Sequence, residues 1–192
     1  MKTADRLRQI LRLHQQPLYQ THTHRGQVLL PGIRGLDRRQ LIRPEDLAGR
    51  TVLDLGCATG AESLWAAEQG AAGVLGLECD AAMIATFRAM AAALKLRTTV
   101  TCRQWDLRAG LPPDLPAHET ILALAITQYC GYRALWQEVP GATVVYCEGG
   151  ADSPYSAASL SGDGWRAELL GRTAASATDP RLLRPFFRLT RT

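Results

Sequence analysis

The feature that most constrains this chain is a pair of apolar runs, TVLDL at 51–55 and GVLGLE at 73–78, set around a segment that carries Leu64, Ala67 and Ala71 at helical spacing. A strand, a helix and a second strand in that order form a parallel crossover, and two such units in succession specify a parallel sheet. The alternation continues downstream. It predicts a helix over 81–96, a strand over 98–104, a strand over 119–126, a helix near 132–138 and a strand over 142–148. These strands are nearly all apolar, as strands covered on both faces must be. Two further strands, 164–173 and 182–192, are separated by AASATDPR, which is too short for a crossover. They are expected to pair antiparallel, so five parallel strands end in a hairpin.

Upstream of residue 48 the pattern is different. A helix is expected over 3–14 and another near 36–42, joined by an irregular stretch bearing Pro, His and Gly. The chain therefore divides into a helical and loop segment, 1–47, and a domain at 48–192. A total of 192 residues suits one core of ordinary size. No apolar run reaches the 18 residues of a membrane span, and the N-terminus alternates basic and apolar residues without a secretory core, so a cytoplasmic protein is expected. Five widely spaced cysteines without a CxxC read as reduced thiols, and His22-x-His24 lacks further ligands at metal spacing, so no metal is expected. The net charge is +4, with the basic excess at both ends of the chain and an acidic middle. A solvated arginine face accounts for that more simply than an anionic partner does.

The turn after 51–55 narrows the ligand. A strand running into small residues and then a helix presents backbone N–H groups at the carboxyl edge of the sheet, where ligands of open α/β sheets bind. A dinucleotide fingerprint can be laid on Gly56, Ala58 and Ala61, but Asp54 would then face an anionic pyrophosphate at unfavourable Coulomb energy. S-adenosylmethionine carries a sulfonium and an ammonium in place of phosphates, and an acid beside the turn suits it.

The residues D-L-G-C-A-T-G at 54–60 resemble motif I of the class I S-adenosylmethionine-dependent methyltransferases, with Ala58 where the family usually has its middle glycine. The resemblance covers about 48–148 and, through the hairpin, the topology of 165–192. It implies a Rossmann-like, mostly parallel seven-stranded sheet with helices on both faces. It further implies that Asp54, Gly56, Cys57, Ala58 and Gly60 line the cofactor, that Glu78 accepts the ribose hydroxyls, and that Cys79 and Met83 pack on one adenine face. By the same resemblance Trp105 or Leu107 flanks the purine, Asp106 accepts its amino group, Ala123 and Leu124 lend backbone to the methionine end, and residues 1–47 form a lid or acceptor platform over the cofactor. Gln128 and Tyr129 then face the acceptor. Tyr129, Gln128 and His22 are the catalytic candidates, and Arg34 is a candidate clamp for the methionine carboxylate or an anionic acceptor.

The acceptor is less constrained. No N/D-P-P-Y/F signature of amino-methylating nucleic-acid enzymes occurs. A small molecule is the favoured acceptor, and a tRNA or rRNA substrate is the alternative, resting on the basic ends. A non-catalytic binding protein of the same fold and an NAD-linked enzyme complete the set. Oligomeric state is not readable from the chain.

Overall fold

The structure, a computed structural model, describes residues 3–14, 18–94, 96–130, 134–150, 153–176 and 179–192. Its centre is a seven-stranded sheet. β3 (Thr51–Leu55), β4 (Gly73–Glu78), β5 (Thr99–Gln104), β6 (Thr120–Leu124) and β7 (Val144–Glu148) run parallel, while β8 (Trp165–Ser176) and β9 (Asp179–Arg191) form the antiparallel hairpin. The order is β5-β4-β3-β6-β7-β9-β8, so the chain reverses its direction of build-out between β3 and β6. That switch point is where an open α/β sheet leaves a crevice.

β3 alternates its side chains between two cores. Leu53 and Leu55 join Ile121, Val145, Trp136 and Leu189 on one face, and Val52 joins Leu122, Val144, Tyr146 and Phe186 on the other. One face is covered by α2 (Ala61–Glu68) and α3 (Ala81–Leu94), which buries Ile84, Phe87, Met90 and Leu94 along one side. α1 (Thr3–Arg12) packs on α3 through Leu7 and Leu11, one helical turn apart.

The opposite face departs from expectation. Among the described residues it carries 3-10 turns at Leu107–Ala109, Thr127–Cys130 and Leu135–Glu138 and the single-turn α4 (Ala157–Leu160). Pro112, Pro113 and Pro116 account for the first, since a proline interrupts the helical hydrogen-bond ladder. The helix expected near 132–138 is the third, and its residues 131–133 lie outside the described residues. The hairpin strands are longer than expected and run into AASATDPR, of which residues 177 and 178 lie outside the described set. The irregular stretch upstream contains a small antiparallel hairpin, β1 (His22–His24) and β2 (Gln27–Leu30), with Arg25 and Gly26 in left-handed conformation at its turn.

Candidate functional site

At the carboxyl end of β3 the chain turns through three left-handed residues, Gly56 (φ 69°), Ala58 (φ 50°) and Gly60 (φ 82°). Glycine is required at the third, where a Cβ would drive into the Phe87 ring, and Gly56 would meet Ile126 Cδ1 at 2.6 Å. Ala58 holds the same hand with a methyl, at a cost of about 1–2 kcal/mol for an L-residue. The turn is locked from behind, because Gly56 N and Cys57 N both donate to Leu77 O and Gly60 N donates to Cys57 O.

Two carboxylates flank this turn, one from each of two adjacent parallel strands. Asp54 is buried and accepts from Ser63 Oγ at 2.6 Å. Burial pushes its carboxyl up to about 7 against that hydrogen bond. Ser63, one turn into α2, is a positioning residue that the motif did not flag. Glu78 ends β4 and accepts backbone N–H from Ala58 (2.9 Å), Cys79 (2.8 Å) and Asp80 (3.0 Å). A carboxylate offers about four lone-pair positions, so three are engaged and about one remains for a ribose hydroxyl. Holding both hydroxyls requires one of the backbone bonds to be shared or released.

The remaining cofactor candidates surround this edge. Cys79 is exposed, and Met83 sits in the first turn of α3, where its N–H and that of Ala82 are capped by Asp80 Oδ1. Trp105 donates through Nε1 to Gly110 O at 2.8 Å and carries the Arg103 guanidinium 5.2 Å from its ring centre. Asp106 caps the 107–109 turn and pairs with Arg108 through both oxygens, whose hydrogen bonds hold its carboxyl below the usual range. Its carboxylate is thus engaged locally, at an exposed position. Ala123 and Leu124 are buried at the end of β6, and Ala125 follows at φ 57°.

Of the catalytic candidates, Tyr129 is 66% exposed. Gln128 donates through Nε2 to Ala125 O. His22 is buried with Nε2 2.8 Å from Thr59 Oγ1, directly behind the turn. Burial first, then Arg39, lower its pKa to about 4, so it is neutral at pH 7 and a weak base.

The arginines of residues 34–39 are not the solvated face expected of them. Arg38 and Arg39 are buried and converge on Glu62 of α2, at 2.8 Å and 2.7 Å for their closest pairs. Burial alone would raise the Glu62 carboxyl, but Arg38 and Arg39 outweigh it and hold it at about 2. Arg39 also donates to Thr23 Oγ1, Thr21 O and Ala61 O and lies over the Trp65 ring. Gln20 Oε1 accepts from Ala61 N, the first residue of α2. Asp46 binds Tyr146 Oη at 2.6 Å and takes Arg188 through both oxygens. Residues 20–46 are therefore tied to α2 and the sheet by buried polar pairs. Arg34, the candidate clamp, is fully buried and donates to Glu148 and Thr173, at the β7 and β8 side of the edge and away from the β3 turn.

Residues 52–142 match the family model described as a methyltransferase domain. No curated protein sequence matches the chain. Among solved structures, the chain resembles the bifunctional kinase-methyltransferase WbdD, with a TM-score of 0.65, 19% identity and 96% of this chain covered. The chain spans 46% of that protein's length. It also resembles a magnesium protoporphyrin IX methyltransferase from Synechocystis PCC 6803 with bound S-adenosylmethionine (TM-score 0.61, 17% identity, 80% of this chain and 76% of that one). A dimethyladenosine transferase from Plasmodium falciparum is similar as well (TM-score 0.65, 13% identity, 83% of this chain and 63% of that one). At these identities the likeness is one of fold, and the names of the last two point to different acceptors.

Proposed function

From the premise that this chain carries a methyltransferase domain of the class I, Rossmann-like kind, we propose that it binds S-adenosylmethionine at the carboxyl edge of β3 and β4 and methylates a small-molecule acceptor. The observation that carries this reading is the pair Asp54 and Glu78, brought by adjacent strands to either side of a turn with left-handed small residues. When bound, S-adenosylmethionine supplies a methyl group on a sulfonium, displaced in line by an acceptor lone pair while the S–C electron pair returns to sulfur. The donor set fits such a group. Asp54 can ionise beside an ammonium or sulfonium, Glu78 offers a carboxylate to ribose, and the small turn admits a ligand to the backbone. In this reading Cys79, Met83 and Trp105 shape the purine side, with Asp106 freed from Arg108 to take the adenine amino group, while the Cys57 side chain is turned into the core against Cys102 and leaves only its backbone to the turn. Ala123 and Leu124 form the floor under the methionine.

The chain contributes chiefly by positioning, which is worth up to about 7–11 kcal/mol in favourable intramolecular cases. His22 acts as a spacer behind the turn, and Gln128 and Tyr129 border the acceptor. Residues 1–47 form the acceptor-side wall. The basic ends that favour the RNA alternative are not all free to meet phosphate, since Arg39 and Arg188 are held by internal carboxylates. Five thiols outside any disulfide fit a cytoplasmic setting, and among the described residues no helix is long and apolar enough to cross a membrane.

The test is transfer from methyl-labelled cofactor into cell extract separated into small-molecule, RNA and protein fractions. Label is expected in the small-molecule fraction and unchanged between low and moderate salt. Label confined to RNA and lost with added salt would overturn the acceptor assignment.

A further inference from the structure

The acceptor side of the sheet holds a cluster of charges that do not balance. Glu148, the last residue of β7, is fully buried and accepts from Arg34 Nη2 and Thr173 Oγ1. Arg38 Nη1 lies 3.8 Å from its second oxygen, beyond hydrogen-bond range. Thr173 stands in register with Arg184 across the β8–β9 ladder, so the two side chains leave the same face of the sheet about 5 Å apart at Cβ. Asp37 reaches in from the N-terminal segment and accepts from Ala174 N at 2.6 Å. Together with Arg39 and Glu62, the network sets four guanidinium groups against three carboxylates.

The hydrogen bonds are incomplete in the same place. Arg34 Nε and Nη1 and Arg184 Nε and Nη1 are buried without a hydrogen bond, and Arg38 Nη1 has only its 3.8 Å ion pair with Glu148 Oε2. On the acceptor side only Glu148 Oε2 and Asp37 Oδ1 stand open within the network. An unpartnered buried donor costs about 1–3 kcal/mol, more when charged. Water can fill such sites, but water brings no charge. Burial, then the neighbouring Arg38 and Arg184, pull the Arg34 pKa down against Glu148, as an uncompensated cation requires.

We propose that Arg34, Arg38 and Arg184 anchor a carboxylate or phosphate group of the methyl acceptor. The planar fork of a guanidinium matches either anion. This rests on the methyltransferase reading for its direction. β7 lies two strands from β3, about 10 Å along the same carboxyl edge, so the cluster borders the proposed cofactor site.

The test titrates acetate and phosphate separately, against chloride at constant ionic strength, with and without saturating S-adenosylhomocysteine. Melting temperature and calorimetry are the readouts. At least one anion is expected to raise the melting temperature above chloride, and the rise should add to that given by S-adenosylhomocysteine. Whichever anion acts identifies the group. Arg34→Met removes the partner of a buried carboxylate and is expected to unfold, so the informative variant is Arg184→Met, at a partly exposed position. It should weaken the anion by about tenfold or more while keeping the S-adenosylhomocysteine shift, and Arg184→Lys should restore part of the anion response. An equal anion response in Arg184→Met, no response in the wild type, or competition between anion and S-adenosylhomocysteine would each overturn the proposal. Failure of S-adenosylhomocysteine alone, with the anion still bound, would instead overturn the methyltransferase reading and with it the acceptor role of the cluster.

Discussion

The two halves of the carboxyl edge are built on opposite principles. At the β3–β4 end, the site is local: a turn of small residues and carboxylates satisfied by nearby backbone N–H groups and by Ser63, one turn into the following helix. At the β7–β8 end it is assembled from residues far apart in the chain, with Arg34 meeting Glu148 and Thr173, and Arg38 reaching across from Glu62 of α2 toward Glu148. The first kind of site tolerates change as long as the backbone keeps its path. The second depends on every partner, because removing one leaves a charge stranded in the interior.

That contrast gives its largest expected effect at Glu62. Glu62→Ala strands Arg38 and Arg39 and should cost about 3–5 kcal/mol of stability in urea unfolding. Deleting residues 1–47 strands Glu62 and Glu148 together and should prevent folding, seen by circular dichroism. A folded, cofactor-binding remnant would mean that the N-terminal segment is a separable lid after all. Next is Glu78→Ala, expected to weaken S-adenosylmethionine by about 1.5–3 kcal/mol in calorimetry while the chain stays folded. Unfolding there would make Glu78 a structural residue and erase the contrast.

Asp54 and Glu62, on either side of the β3 turn, are shifted in opposite directions. Asp54 is raised to about 7 in the folded chain, so its protonated form is held below that pH, and a cationic ligand must drive the proton off. Affinity for S-adenosylmethionine should therefore climb between about pH 5 and 7, by at most tenfold per unit, and level off above. Asp54→Asn should flatten the curve, and a persistent slope in that variant would place the titration elsewhere. Glu62 behaves oppositely. Its carboxyl is depressed to about 2, so its contribution to stability is complete above about 4.5 and lost as pH falls toward 2. The smallest effect belongs to Asp106. Asp106→Asn breaks an exposed pair with Arg108 and should change stability by less than about 1 kcal/mol, so any larger loss in cofactor affinity measures a contact with adenine alone.

How much of this the sequence shows follows the same division. β3 and β4 coincide with their expected runs to the residue, because a bounded apolar strand and a turn of glycines are local signals. Asp54 and Glu78 were readable for that reason. The β1–β2 hairpin was not, since HTH and QVLL are too short and too polar to show period two. The helix expected near 132–138 is reduced to the 3-10 turn Leu135–Glu138, with Pro140 two residues beyond it, where a helix cannot continue. The buried arginines were not readable at all. An arginine carries no local mark of its partner, and Glu62 lies 23 residues from Arg39 in the chain. Treating basic residues at 34–39 as solvated is correct on average and fails here because the fold places carboxylates beneath them.

The most direct test of the central claim is a calorimetric titration of the full chain with S-adenosylhomocysteine and, separately, with NAD, each repeated on Glu78→Ala. The account predicts saturable binding of S-adenosylhomocysteine that weakens in Glu78→Ala, and little or no binding of NAD, which must bring a pyrophosphate beside Asp54. Binding of NAD as tight as or tighter than S-adenosylhomocysteine would contradict it.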